Sequence, residues 1–304
     1  MENTISLLRR LELPKEGVLD VVLDTDAYNE IDDQFAISYM IRSTERLNVR
    51  ALYAAPFFNS NSTGPADGME RSYQEILHLL ELAGRADLKE VTFRGSDRYL
   101  PDENTPVESD AARHLAATAM EYTPEHPLYV VAIGAITNVA SAILMEPAIR
   151  DRIVLVWLGG NALNWPKGAE EFNMIQDIAA ARVVYSGIAL VQLPCSGVVT
   201  EFAISGVELR AFLGGKNALC DYLVQHTCDE VATYCSDPIW TRVIWDVTAV
   251  GWLMGGLMSD RLIHAPIPEY DGYYAFSDNR HFMKYVYRVD RDLLLRDLVK
   301  KLTR

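Results

Sequence analysis

Residues 24–33 read DTDAYNEIDD and place five carboxylates within ten positions. The apolar run Val21–Leu23 that precedes them is typical of a buried strand, and residues 35–41, FAISYMI, are typical of a helix. A strand that passes directly into a helix predicts one unit of an α/β fold. The carboxylates then lie at the strand-to-helix junction.

The same alternation of strand and helix continues along the chain. Strand-like runs are found at Leu19–Leu23, Val49–Ala54, Val91–Phe93, Tyr129–Ile133, Val154–Leu158 and Leu190–Leu193. Apolar residues at helical spacing are found at Gly68–Leu82, Ala111–Met120, Thr137–Leu144 and Asp177–Tyr185. This rhythm predicts a mostly parallel central sheet with helices on both faces, an open Rossmann-like core.

After Pro194 the rhythm changes and helices predominate. We predict helices at Val207–Leu213, Asn217–Tyr234, Ile239–Met258 and Leu293–Leu302, and a late strand at His281–Tyr287. The chain has no tandem repeat and no linker rich in Gly or Ser. We therefore expect residues 1–304 to form a single domain.

Charge and composition exclude several classes of protein. The formal net charge of −14 argues against a nucleic-acid polymer as partner, because such binding depends on Lys and Arg neutralising phosphates. The four cysteines form no C-x-x-C pair, so we expect reduced thiols and a cytoplasmic location. The first residues lack the apolar segment of a signal peptide, and no apolar run approaches the ~20 residues of a membrane span.

The candidate chemistry lies in the loops that follow the strands, because ligands of open α/β sheets bind beyond the carboxyl ends of the strands. These loops, at residues 24–33, 56–61, 134–138 and 159–173, are rich in Asp, Asn and Glu, with Lys167 as their one basic residue. Oxygen-rich surroundings suit a hard cation such as Ca²⁺ or Mg²⁺. Helix capping alone is the alternative for Asp32 and Asp33, but it does not account for Asp24 and Asp26.

One further carboxylate is distant in sequence. Asp246 falls inside the predicted apolar helix, where a buried charge is costly unless it is paired or binds a metal. It is interpreted as a distant metal ligand, with an ion pair to Arg242, four residues earlier, as the alternative.

Four motifs are spread along the chain. They are the Asp-x-Asp strand end with Asp32-Asp33 opening a helix, the segment Ala132–Ala140 with Gly-x-x-Thr-Asn, the Glu-Phe-Asn triplet at 171–173, and Asp246 near the C-terminal end. Together they resemble the inosine–uridine nucleoside hydrolase family. The resemblance runs from about Val18 to Asp290. It implies hydrolysis of the N-glycosidic bond of ribonucleosides to ribose and free base.

The resemblance also implies the roles of individual residues. Ca²⁺ would be bound by the side chains of Asp26, Asp33 and Asp246 and by the main-chain carbonyl of Ile133. Asp26 would also take a proton from a water molecule. The sugar would be held by Asp32, Asn59, Glu171 and Asn173. The family often forms dimers or tetramers, so a homo-oligomer is expected.

The sequence departs from the family pattern at three places. Two extra residues lengthen the first loop, so Tyr28 or Asn29 is a candidate to reach the pocket. Trp245 stands where many members have a His that protonates the leaving base, and a stacking Trp there resembles the purine-preferring branch. The Asn before Glu-Phe-Asn is either Asn161 or Asn164.

His281 is a further candidate for contact with the leaving base, because it belongs to a late polar segment. Two other functions compete with nucleoside hydrolysis. A haloacid-dehalogenase-like phosphatase also begins with Asp-x-Asp after a strand, but it needs a basic partner for phosphate that the loops do not supply. A catalytically weak sugar- or nucleoside-binding protein with the same metal site is the second alternative.

Overall fold

A computed structural model describes residues 2–304, so Met1 of the predicted domain lies outside it. The strands are β1 Leu19–Thr25, β2 Leu47–Ala54, β3 Thr92–Arg94, β4 Leu128–Ala132, β5 Ile153–Leu158, β6 Ala189–Leu193, β7 Ala203–Ser205, β8 Thr241–Val243, β9 Met258–His264, β10 Ile267–Pro268, β11 Tyr274–Ala275 and β12 Phe282–Val289. Eight of them form one sheet in the order β3-β2-β1-β4-β5-β6-β12-β9, in which every pair is parallel except β12 with β9.

Helices cover both faces of this sheet. They are α1 Glu2–Arg10, α2 Ile31–Arg42, α3 Pro65–Leu82, α4 Asp110–Ala119, α5 Thr137–Met145, α6 Phe172–Gln176, α7 Ile178–Val184, α8 Gly206–Leu213, α9 Ala218–Ala232, α10 Val247–Met254 and α11 Arg291–Leu302. Within residues 2–304, no helix combines the length and the apolar character that crossing a membrane requires.

The apolar core is divided into two clusters by the sheet. One cluster joins α2, α9, α10 and α11, and the other joins α4, α5 and α7. Every residue of β4 and β5 is buried, which is why these strands read as continuous apolar runs rather than alternating ones. The predicted α/β fold with a mostly parallel sheet is confirmed.

The main difference from the sequence prediction lies at residues 239–258, which were expected to form one helix. The structure divides them into β8, which pairs antiparallel with β7, and the shorter helix α10, which ends before Gly255. Asp246 therefore occupies the N-cap position of α10, without a capping hydrogen bond from its side chain, instead of lying within a helix. Pairing with a strand far away in sequence overrides the local apolar spacing.

A single buried amide fastens the carboxyl ends of three strands. Asn138, in the first turn of α5, donates from Nδ2 to Asp24 Oδ1 at 2.8 Å and to the Ala54 carbonyl at 3.1 Å. Its Oδ1 accepts from the backbone and hydroxyl of Ser96, just beyond β3. The loops that follow β1, β2 and β3 are thereby held in a fixed relation.

We predict that Asn138→Ala lowers the free energy of unfolding by about 3 kcal/mol, because it leaves several buried polar groups without a partner. Urea denaturation followed by circular dichroism measures this change. Asn104→Ala, at an exposed position, is the matched control. A loss below about 0.5 kcal/mol, the range of ordinary surface substitutions, would show that Asn138 does not fasten these strands.

Candidate active site

A cavity of about 340 Å³ lies at the carboxyl edge of the sheet. Six carboxylates line it, together with three side-chain amides and three aromatic rings; the carboxylates are Glu30, Asp32, Asp33, Glu170, Glu171 and Asp246. None of the residues from 2 to 304 that line this cavity is Lys, Arg or His. Lys167, the basic residue noted in these loops, pairs instead with Glu170 at 3.0 Å.

Three of these carboxylates converge from distant parts of the chain. Asp32 and Asp33 lie in the first turn of α2, and Asp246 lies at the start of α10. All three are buried, and one oxygen of each lies within 4.8 Å of the others. Packing of α10 against α2 brings them together.

Asp26 follows β1 and lies beside this cluster. Its side chain is fully buried, and neither carboxylate oxygen has a hydrogen-bond partner among residues 2–304. A Cβ atom added to Gly134 would lie only 2.9 Å from Asp26 Oδ1, so only glycine leaves room for this carboxylate. Two buried oxygens without a hydrogen-bond partner indicate that the Asp26 carboxylate is available to bind a ligand.

Electrostatics supports a cation at this place. Burial raises the pKa of Asp26, Asp32, Asp33 and Asp246, and the neighbouring carboxylates raise the pKa of each further. Without a positive ion, some of these groups must therefore hold a proton. The donors are all oxygen atoms, which fits a hard divalent cation. The buried cluster could thus hold a metal ion.

The Glu-Phe-Asn triplet forms the start of a short helix. Glu171 caps α6 and accepts hydrogen bonds from the backbone N–H groups of Asn173, Met174 and Gly160, while burial raises its pKa to about 7. Asn173 donates from Nδ2 to the carbonyls of Ile133, at 3.2 Å, and Leu158. Phe172, which lies between Glu171 and Asn173 in sequence, also lines the cavity.

Trp245 and Trp165 supply the large apolar surfaces of the cavity. The guanidinium of Arg242 lies 4.7 Å from the centre of the Trp245 ring. Arg242 forms ion pairs with Glu30 at 2.6 Å and with Glu230 at 3.1 Å. The alternative that Asp246 pairs with Arg242 is therefore wrong, since the partners of Arg242 are these two glutamates.

Two of the remaining sequence candidates are now distinguished. Asn161 lines the cavity, where its side chain bonds to the Glu170 carbonyl and to the Ser196 backbone N–H. Asn164 is exposed and does not line the cavity. Of the two candidates, Asn161 is therefore the one that lies in the cavity wall with Glu171 and Asn173.

The structure does not bring Asn59 or His281 into the cavity wall. Asn59 instead donates to Asn29 Oδ1. His281 precedes β12, which is parallel to β6, so it lies near the amino end of the sheet; the adjacent Arg280 binds the Tyr185 carbonyl just before β6. The expectation that His281 contacts the base fails, because it lies at the opposite edge from the cavity.

Several residues of the cavity wall carried no recognisable signal in the sequence. Glu170, Leu158, Trp165, Cys195 and Ser196 belong to it through the path of the loops after β5 and β6. Asn29 and Glu30 also line it, and the lengthened first loop was the sequence signal for them.

Comparison with known proteins gives a consistent result. The sequence profile of the inosine-uridine preferring nucleoside hydrolases matches residues 21–266. The pyrimidine-specific ribonucleoside hydrolase RihA of Citrobacter koseri is 25% identical over 266 residues, which cover 78% of this chain and 79% of the relative.

Solved structures share the fold. An inosine-guanosine nucleoside hydrolase superposes with a TM-score of 0.76 at 17% identity, covering 94% of this chain and 99% of the other. The purine-preferring ribonucleoside hydrolase from Gardnerella vaginalis gives 0.73 at 17% identity, covering 93% and 98%. The profile match over most of the chain shows that this protein belongs to the inosine-uridine preferring nucleoside hydrolase family and is a nucleoside N-ribohydrolase.

Proposed function

We propose that the protein is a Ca²⁺-dependent ribonucleoside hydrolase that favours purine nucleosides and releases ribose and the free base. The observation that carries the proposal is the convergence of Asp32, Asp33 and Asp246, with the unpartnered Asp26 beside them. Such a concentration of buried negative charge favours a bound cation and a cationic sugar.

The residues that would hold the ion are Asp26, Asp33 and Asp246 through their side chains and Ile133 through its carbonyl. Carboxylates combined with a main-chain carbonyl are the ligand set that Ca²⁺ takes in proteins, whereas Mg²⁺ keeps more of its water. A bound Ca²⁺ would supply positive charge that makes a neighbouring water more acidic and orients the ribose diol.

The chain's own residues then serve hydrolysis. Asp26 accepts a proton from the attacking water, whose oxygen bonds to C1′ of the ribose. The C1′–N bond breaks and its electron pair leaves with the base, which takes up a proton from solvent, and Asp26 returns its own proton to solvent. Positive charge spreads over C1′ and the ring oxygen, as in other glycoside cleavages. The carboxylates stabilise this charge most strongly in a buried cavity.

The ribose would be held by Asp32 and Glu171, which accept from its hydroxyl groups, and by Asn173. Glu171 is already fixed by three backbone N–H groups, so little ordering accompanies substrate binding.

Preference for purines is inferred from Trp245. An indole in the cavity wall can stack on a base, and the larger purine offers more stacking surface. Indole N–H cannot act as a general acid, so the leaving group is not protonated by this residue. The relatives do not agree, because one is pyrimidine-specific by name and others are purine-preferring.

Two alternatives receive different support. A phosphatase is disfavoured because no Lys, Arg or His among residues 2–304 lines the cavity. A nucleoside-binding protein of weak activity shares every feature of the site except turnover.

We also propose that residues 1–304 form one domain, because the central sheet includes strands from Leu19 to Val289. The cytoplasmic location and the dimer or tetramer stay predictions.

Incubation with inosine, guanosine, adenosine, uridine and cytidine, followed by an assay for free ribose, tests the proposed function. We expect release from the purine nucleosides to be fastest, and we expect EDTA to stop it and excess Ca²⁺ to restore it. Tight binding of these nucleosides without ribose release would instead support the binding protein. Full activity in EDTA would contradict the dependence on Ca²⁺.

Asp26→Ala is predicted to weaken Ca²⁺ binding by at least about 100-fold and to lower kcat by about 10²–10⁴, because it removes both a proposed ligand and the proton acceptor. Calorimetric titration with CaCl₂ measures the first change, and ribose release measures the second. Asp278→Ala, at an exposed position, is the control. Unchanged Ca²⁺ affinity would remove Asp26 from the metal site.

Trp245→Ala is predicted to lower kcat/KM for inosine about tenfold or more, because stacking contributes about 1–3 kcal/mol per base. The loss for uridine should be smaller, and Trp245→Phe, which keeps a ring, should recover part of the loss. Steady-state kinetics with both nucleosides gives the comparison. Equal losses for inosine and uridine would show that Trp245 does not set the base preference.

A further inference from the structure

We propose that Asn29, in the lengthened first loop, binds substrate by donating a hydrogen bond from its Nδ2 to a hydroxyl oxygen of the ribosyl group. This inference rests on the proposed function and deepens it, since it names a sugar contact supplied by a residue that the family motifs do not include.

A backbone donor fixes the orientation of Asn59. The N–H of Asn61 donates to the Asn59 side chain at 2.8 Å. A backbone N–H can only donate, so the atom that it meets must be Asn59 Oδ1. The other end of this amide, Nδ2, therefore faces Asn29.

The orientation of Asn29 follows from that of Asn59. Asn59 Nδ2 lies 2.5 Å from the Asn29 side chain and must donate to it, so the accepting atom is Asn29 Oδ1. Asn29 Nδ2 is then the free end of the amide. This nitrogen donates to no acceptor among residues 2–304. It is not among the fully buried polar atoms without a partner, so a ligand can reach it.

The backbone around Asn29 is held as firmly as its side chain. Its N–H donates to the Asp26 carbonyl at 2.7 Å, and its own carbonyl accepts from Asn61 Nδ2 at 2.8 Å. The next residue, Glu30, is tied to Arg242 at 2.6 Å. Asn29 is only 7% exposed and lines the cavity, so its free donor is directed by a rigid loop.

The neighbouring Tyr28 takes a different course. Its backbone N–H donates to the Ser72 hydroxyl on α3. The residue is 39% exposed, and the Arg71 guanidinium lies 5.5 Å from the centre of its ring. Tyr28 does not line the cavity. The extra length of the loop therefore presents Asn29, rather than the tyrosine, to the substrate.

The chemistry of the cavity shows what this donor would meet. The six lining carboxylates can only accept when they are ionised. The amide nitrogens of Asn161 and Asn173 already donate to backbone carbonyls. A ribose hydroxyl that donates to a carboxylate keeps lone pairs that need a donor. Among residues 2–304, Asn29 Nδ2 is the lining side-chain amide nitrogen whose two N–H groups are both free to supply one.

Two substitutions test the Nδ2 donor of Asn29, and the first of them also keeps the hydrogen bond from Asn59. Asn29→Asp keeps the oxygen that accepts from Asn59 and replaces the donor by an acceptor, and Asn29→Ala removes both. Asn104→Asp makes the same change of charge at an exposed position and serves as the control. Thermal melting and CaCl₂ titration verify that fold and Ca²⁺ affinity match the wild type.

The substrates are inosine and its 2′-, 3′- and 5′-deoxy analogues. For inosine we expect Asn29→Asp and Asn29→Ala to lower kcat/KM by about tenfold or more, the value of one hydrogen bond to a buried group. For the analogue that lacks the contacted hydroxyl, the variants and the wild type should differ by less than about twofold. Asn104→Asp should match the wild type throughout.

A twofold or smaller effect of both variants on inosine, or an equal loss with all three analogues, overturns the proposal. Calorimetric binding of inosine separates this result from a failure of the proposed function. If the wild type binds inosine but releases no ribose, hydrolysis fails, and the affinities of the Asn29 variants for the same four ligands decide the role of Asn29. If the wild type neither binds nor cleaves inosine, both proposals are overturned.

Discussion

The mutual repulsion of four buried carboxylates is the constraint on which the rest of the site depends. Burial raises the pKa of Asp26, Asp32, Asp33 and Asp246, so without a cation the folded protein retains protons that the unfolded chain releases above pH ~4. Stability without a cation is therefore lost as pH rises through the raised pKa values. A divalent ion bound by these carboxylates would replace those protons and remove the penalty, so stability would depend on the metal ion that we propose.

Buried amide side chains around these carboxylates form hydrogen bonds that fix the ends of the strands. Asn138 joins the ends of β1 and β2, and Asn173 joins the ends of β4 and β5. Both amides donate two hydrogen bonds to oxygens at the carboxyl edge of the sheet. Gly134 leaves room for Asp26, whose own oxygens are left without protein partners. The groups that surround the site are thus hydrogen-bonded within the protein, whereas a few atoms inside it, such as the Asp26 oxygens, are not and are available to ligands.

The lengthened first loop connects the two sides of this frame. Asn29 is held from one side by Asn59 and Asn61, and Glu30 is held from the other by Arg242. Arg242 in turn lies against the ring of Trp245, so the loop that precedes the acidic cluster is joined to the surface that would stack on the base. A longer loop would ordinarily be more mobile, but these contacts leave it few free polar groups.

The sequence by itself determined seven of the eight strands of the central sheet, β1 to β6 and β12, their parallel arrangement and most of the acidic cluster. Buried parallel strands such as Tyr129–Ile133 are apolar throughout, and the carboxylates of residues 24–33 follow a strand in a way that local pattern reveals. Only the tertiary structure decided which distant groups meet. Asp246 approaches Asp33 because α10 packs on α2, whereas His281 is carried to the opposite edge by the direction of β12. Asn29 lines the cavity and Asn59 does not, and Asn59 instead orients the Asn29 amide through hydrogen bonds that no periodicity encodes.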